Sequence, residues 1–205
     1  MVFLCYLTAV GLNVFWLIAG DKLPVRDQML IPVLSVVVAG VGVLLRTRYL
    51  GERGRTAYRS RALWVLLAYY LAILSVLLIF GGLFHVDRAW GSAVNLEPFR
   101  TIRRFLIHYR RTGSLSSLSN LLGNIVILIP LGVLLPVMFR PLRRFWLTLP
   151  LLALVAVGVE WLQWITAAGV ADVDDSILNF AGAAVGYVFT RLCQMLYFRF
   201  RGAKT

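Results

Sequence analysis

Residues 145–168 read FWLTLPLLALVAVGVEWLQWITAA, an apolar stretch carrying one carboxylate, Glu160, and one side-chain amide, Gln163, toward its far end. A transmembrane helix needs about 20 apolar residues to cross about 30 Å of hydrocarbon, and this stretch is long enough. Glu160 makes it more than an anchor, because an ionisable group inside a span is costly unless it is paired or hydrated. The rest of the chain has the same character. Of its 205 residues 60% are hydrophobic and 15% charged, and a single soluble core of that size would leave large apolar patches in water.

Five further stretches are long and apolar enough to span: Val2–Ala19, Met29–Leu45, Ala62–Phe84, Leu118–Phe139 and Ile177–Phe198. The expected fold is therefore all-α, a polytopic membrane bundle of about six helices. The first stretch lacks a basic leader and is interrupted by Asn13, and it reads as a retained helix rather than a cleaved signal. The second holds Pro32 near its start, where a missing amide hydrogen does least harm. Cys5 and Cys193 both lie in apolar runs, so neither a disulfide framework nor a thiolate metal site is indicated.

The net charge of +12 does not make a nucleic-acid binder, because the arginines fall between apolar runs and form no continuous basic face. Arg46, Arg48, Arg53, Arg55, Arg59 and Arg61 follow the second span, Arg140, Arg143 and Arg144 the fourth, and Arg199, Arg201 and Lys204 the sixth. Six spans put these on one side, which the positive-inside rule makes cytoplasmic together with both termini. The Asp21–Asp27 loop, the Gly81–Ser117 segment and the acidic loop at 169–176 then lie outside. The long segment is an exception to the rule, since it carries Arg88, Arg100, Arg103, Arg104, Arg110 and Arg111. Within it, Pro98 can open a helix over 98–111 in which Phe99, Ile102, Phe105, Leu106 and Tyr109 recur at helical spacing. Such a helix lies flat in the interface with its guanidinium groups toward headgroup phosphates, either as a plain lipid anchor or as a clamp for an anionic ligand.

Polar residues inside the last three spans converge on one level. Glu160 and Gln163 share a face of the fifth span, Asp175 and Asn179 a face of the sixth, and Asn120 and Asn124 a face of the fourth. Interhelical hydrogen bonding that fixes the bundle explains such a set as well as a ligand site does. Gly182 and Gly186 on the sixth span, with Gly123 on the fourth, permit close helix approach. Pro130 deprives the Val126 carbonyl of its usual donor and should bend the fourth span. The run Asp172, Asp174 and Asp175 supplies oxygen ligands but lacks the spacing of a known metal loop, so no metal or cofactor is expected. Glu160 with Asp175 could serve as an acid–base dyad, one of them held protonated by burial.

The ordered set Asn95-Leu-Glu97-Pro98-Phe99, Asn120-Leu-Leu-Gly123-Asn124, Ile129-Pro130-Leu131-Gly132, Leu135-Pro136, Glu160 with Gln163, Asp172-Val-Asp174-Asp175, Asn179, Gly182 and Gly186-Tyr187 resembles the VanZ-like family over about residues 95–190. The organisation implied is an N-terminal transmembrane region over 1–90 and a VanZ-like region over 91–205. Members are bacterial membrane proteins, and the family is named for a protein conferring resistance to the glycopeptide teicoplanin. The resemblance thus implies an envelope protein with a role in glycopeptide resistance, and it adds Glu97, Arg100 and Asp174 to the candidate ligand-binding residues. It departs at Gly169, Val170 and Ala171, where members carry an arginine shortly before the acidic run. That role falls to another residue, such as Arg100, or is absent.

Three functions compete. The first is a site for an anionic membrane lipid or a lipid-linked cell-wall precursor on the outer face. The second is an enzyme acting on a lipid-linked phosphate, with Glu160 or Asp175 as base. The third is a small transporter, suggested by the bent fourth span and by the Asn-x-x-Gly steps Asn120–Gly123 and Asn179–Gly182.

Overall fold

Hydrocarbon offers the backbone no hydrogen bonds, so apolar runs satisfy their own amides and carbonyls by folding as helices. The computed structural model describes residues 1–19, 22–23, 25–80, 94–113, 115–166 and 171–202. Within them run α1 (Val2–Ala19), α2 (Val25–Arg48), α3 (Glu52–Phe80), α4 (Arg100–Thr112), α5 (Leu115–Ile127), α6 (Ile129–Met138), α7 (Phe145–Ile165) and α8 (Val173–Gly202). Among the described residues six candidate spans are long and apolar enough to cross a membrane, α5 and α6 together supplying one over Leu121–Met138. The protein is an all-α, multi-pass membrane protein.

Several boundaries differ from expectation, and at three of them the physical reason is visible. Helix α3 begins at Glu52, not Ala62, so the arginine run is helical and only Tyr49–Gly51 separate it from α2. Arginine is a good helix former, and its long side chain lets a charged turn continue a span. Arg55 also caps α2, its Nε donating to the Thr47 carbonyl at 3.0 Å and its Nη2 to that of Leu50 at 3.2 Å. Helix α8 begins at Val173 rather than Ile177, which draws Asp174 and Asp175 into its first turn. Helix α4 begins at Arg100, because Pro98 lies in a turn and Phe99 takes the left-handed conformation with φ 65°.

The N-terminal part is joined by a polar chain. Helix α1 packs on α2 and buries only Ala9. The Asn13 that interrupts it donates to the Tyr69 hydroxyl of α3 at 2.5 Å, and that hydroxyl lies 2.9 Å from Ser35 Oγ of α2. Three helices thus share one network where an isolated amide in lipid would be unpaired.

The fourth span breaks at Leu128, as Pro130 requires. The buried hydroxyl of Tyr70 on α3 donates to the Ile127 carbonyl at the break, at 2.9 Å. Tyr70→Phe is expected to leave that carbonyl without a donor and to cost about 1–3 kcal/mol. A lowered midpoint in detergent-denaturant unfolding checks it; an unchanged midpoint would show that the break is satisfied some other way.

Helix α8 is the hub of the second half, packing against α5, α6 and α7, with α4 touching it near its start. Leu128, Leu131, Leu134, Leu152, Ala156, Ala183 and Tyr187 form the core between these helices. At the far end of α6 the Pro136 carbonyl accepts from Arg143 Nε at 3.2 Å and from Gln194 Nε2 at 3.3 Å, so Arg143 helps to finish that helix.

Candidate functional site

The acidic run at the start of α8 is a junction of helix caps. Asp172 precedes the helix and caps it, its Oδ1 accepting the Asp174 amide at 2.9 Å. Its backbone pairs in parallel with Asn95: the Asn95 amide donates to the Ala171 carbonyl at 2.8 Å, and the Val173 amide to the Asn95 carbonyl at 3.0 Å. The side chains repeat the join. Asn95 Nδ2 donates to Asp172 Oδ1 at 2.8 Å, and Thr101 Oγ1 donates to Asp172 Oδ2 at 2.5 Å. Asn95 Oδ1 also accepts the Glu97 amide at 3.2 Å, which turns the chain toward α4.

Asp174 caps a different helix. Its Oδ1 accepts the Phe99 amide at 2.5 Å, and its Oδ2 the amides of Thr101 at 2.6 Å and Ile102 at 3.1 Å. The carboxylate is fully buried. A helix start leaves amide donors without partners and carries the positive end of the helix dipole, so an anion placed there is stabilised by both. The left-handed turn at Phe99 belongs to this arrangement, since it lets a third amide join the cradle. Helix α4, with Arg100, Arg103, Arg104, Arg110 and Arg111, is thereby pinned at its N-terminus to the start of α8.

Beneath this junction lie the residues of the spans. Asp175 Oδ1 accepts from Asn124 Nδ2 of α5 at 2.5 Å. Glu160 of α7 is buried, and its Oε1 accepts the Asp172 amide at 2.8 Å. Its Oε2 is buried with no hydrogen-bond partner, and so is Oδ1 of Asn179, a residue only 2% exposed. A buried acceptor without a donor is uncommon, because it forfeits its hydration for nothing.

The expected residues therefore divide. Asn124, Glu160, Asp174, Asp175 and Asn179 share the end of the bundle from which α5 and α8 start. Glu97 and Arg100 meet at 3.6 Å as an exposed ion pair at the entrance to α4, where such pairs contribute little. Gln163 is half-buried on α7. The side chain of Asn120, and residues 169 and 170 of the acidic loop, lie outside the described residues. Asn95, Thr101 and Asp172 were not among the candidate site residues. An Asx-turn signal at Asn95 before Pro98 was available; nothing local pointed to Thr101.

A family model described as VanZ/LLP1 matches residues 63–194, more than half of the chain. The chain belongs to this family. The match reaches one span further toward the N-terminus than the motif resemblance does, taking in α3 and its Tyr70, and it covers every residue of the junction. No curated protein and no solved structure matches the chain. Within this VanZ/LLP1 member, the chemistry on offer is a buried, acceptor-rich junction beside the basic, amphipathic helix α4. Asp172 and Asp174 spend their oxygens on helix caps and on the side chains of Asn95 and Thr101, and no group of three His, Cys, Asp or Glu side chains among the described residues is placed to hold a metal ion.

Proposed function

We propose that this VanZ-family protein acts in the bacterial cell envelope by holding a phosphate-bearing headgroup, of a membrane lipid or a lipid-linked cell-wall precursor, at the outward junction of α4, α5, α7 and α8. Through that binding it alters susceptibility to glycopeptides such as teicoplanin. The observation that supports the reading is the cap of α4 by Asp174, which holds a helix of five arginines against the polar ends of the spans. A plain lipid anchor needs no such fixture, because it can roll and slide in the interface. Here the guanidinium groups have a fixed origin, which suits a particular ligand better than bulk lipid. The reading takes the junction to face outward, which the arginines between the other spans support.

The enzyme reading draws on one observation, the unpartnered Oε2 of Glu160, whereas the binding reading draws on the anchoring of the α4 arginines by Asp174.

The test is a susceptible Gram-positive host expressing the full chain, with the Arg103→Ala/Arg104→Ala double variant beside it. Wild type is expected to raise the teicoplanin inhibitory concentration several-fold and the variant to lose most of that gain. Native mass spectrometry should show anionic phospholipid retention by the variant weakened by about 2 kcal/mol, on the order of 30-fold. Equal retention and equal susceptibility would overturn the proposal.

A further inference from the structure

The end of the bundle opposite the junction holds two arginines together with no acid to answer them. Arg191 lies 18 residues after the start of α8, roughly 27 Å along the helix at 1.5 Å per residue, which is the other side of a span. Its Nη1 donates to Gln194 Oε1 at 2.6 Å. Gln194 Nε2 in turn donates to the Pro136 carbonyl, which also accepts from Arg143 Nε. One amide thus joins two half-buried guanidinium groups, and hydrogen bonds of ordinary length keep the bonded nitrogens within about 11 Å of each other. Arg143 is fixed at its backbone as well. It ends the one-turn helix Pro141–Arg143, and its carbonyl accepts from the Tyr187 hydroxyl at 2.9 Å. Thr148 Oγ1 holds the same turn by donating to the Leu142 carbonyl at 2.6 Å.

Finishing α6 accounts for Arg143 Nε alone. It leaves the Nη groups of Arg143 and most of the Arg191 guanidinium without acceptors among the described residues. The described carboxylates, Glu97, Glu160, Asp172, Asp174 and Asp175, all lie at the junction end. Two like charges held near each other at a span end, partly out of water, repel unless an anion answers both. A phosphate suits them best, because each guanidinium offers a fork of N–H groups matched to its oxygens. The surroundings suit a phosphate that arrives with acyl chains, since Phe145 and Trp146 after the turn and Leu192 and Met195 beside Arg191 are apolar and exposed. We propose that Arg143 and Arg191, linked by Gln194, form a second site, which takes the phosphate of an anionic phospholipid in the leaflet opposite the junction. Basic clusters between spans are a recurrent form of headgroup recognition. This site shares no residue with the junction and does not depend on the headgroup reading given to it.

The experiment counts phosphatidylglycerol retained by the purified full chain in native mass spectrometry, with Arg103→Ala/Arg104→Ala as the background so that the junction is already weakened. That background is expected still to hold one lipid. Adding Arg191→Ala should weaken its retention on the order of tenfold, the scale of one lost charge-assisted contact, and adding Arg143→Ala as well on the order of 100-fold. Gln194 remains a donor to Pro136 in both, so α6 keeps its end. Arg199→Ala removes the same charge from an exposed position on the same helix and should leave retention unchanged, which separates position from net charge. Arg191→Glu supplies the missing anion within the chain. It should abolish retention and raise the unfolding midpoint of the lipid-free protein, a result that loss of folding cannot give. Displacement of the lipid by equimolar inorganic phosphate would support the phosphate site and replace the lipid by a free anion as its occupant. Retention unaffected by Arg191→Ala, or weakened equally by Arg199→Ala, overturns the proposal. Loss on replacing Arg103 and Arg104 alone bears on the junction and leaves this site untouched, so the two readings fail separately.

Discussion

Asp174→Ala is expected to release the N-terminus of α4 while the spans stay assembled. The carboxylate is fully buried and accepts three backbone amides of α4, from Phe99, Thr101 and Ile102. Hydrogen bonds to a charged group contribute about 1.5–3 kcal/mol each and do not add fully, so the truncation costs on the order of 3 kcal/mol locally. Amide exchange at Thr101 and Ile102 should then rise on the order of 100-fold. Asp174→Asn recovers little of this, because its amide group turns donors toward donors and the charge that answers the α4 dipole is gone. The control is Asp175→Asn, one position along, which keeps an oxygen for Asn124 and should leave α4 exchange unchanged. If α4 protection survives Asp174→Ala, the helix is held by the interface and not by α8. Headgroup retention is the second readout. Releasing α4 should weaken it with all five arginines still present, which separates their position from their charge.

The six spans were legible because each is an apolar run of sufficient length, a property local to the sequence. That Asn124 and Asp175 lie at one level was legible for a similar reason: helical spacing fixes the shared face, and distance from the span end fixes the depth. What escaped was of two kinds. The start of α3 was misplaced because an arginine run reads as a loop by hydropathy, whereas the same residues continue a helix once their side chains can extend past the apolar zone. The roles of the acidic run escaped because they depend on partners far away in the chain. Asp172 and Asp174 look like a loop with oxygen ligands to spare, yet their oxygens go to Asn95, Thr101 and the amides of α4. Pro98 pointed to a helix start two residues early, since the turn at Phe99 is set by Asp174 and not by the proline. Tyr70 gave no sign of its partner, because a tyrosine among apolar residues reads as packing until the broken helix beside it is known.

Substitution of the glycines where α8 crosses the broken fourth span should have the largest effect on the assembly as a whole. A Cβ on Gly182 would lie 1.7 Å from the Ile125 carbonyl oxygen, and one on Gly132 would lie 1.9 Å from the Ala183 carbonyl oxygen. Both obstacles are backbone, so no side-chain rotation relieves them and the helices must part. Gly186 is in the same position against Ile129, its Cβ falling 2.4 Å from that carbonyl. Parting α8 from α5 and α6 loosens the packing of Leu128, Leu131 and Tyr187 and pulls Asp175 away from Asn124. Overpacking of a well-filled interior usually costs about 1–3 kcal/mol, and a backbone obstacle belongs at or beyond the upper end. Gly182→Ala should therefore lower the unfolding midpoint sharply, and Gly182→Leu should prevent assembly. Gly158 of α7 is the matched control, since nothing lies within 4 Å of its Cβ. Gly158→Ala is expected to be neutral or to gain about 0.5–1 kcal/mol from helix propensity alone. The two substitutions add the same single methyl to helices of the same bundle, so opposite signs would isolate backbone contact as the cause. Equal effects would mean that α8 and the fourth span are not in backbone contact. The junction above would then lose the base from which Asp174 and Asp175 are aimed.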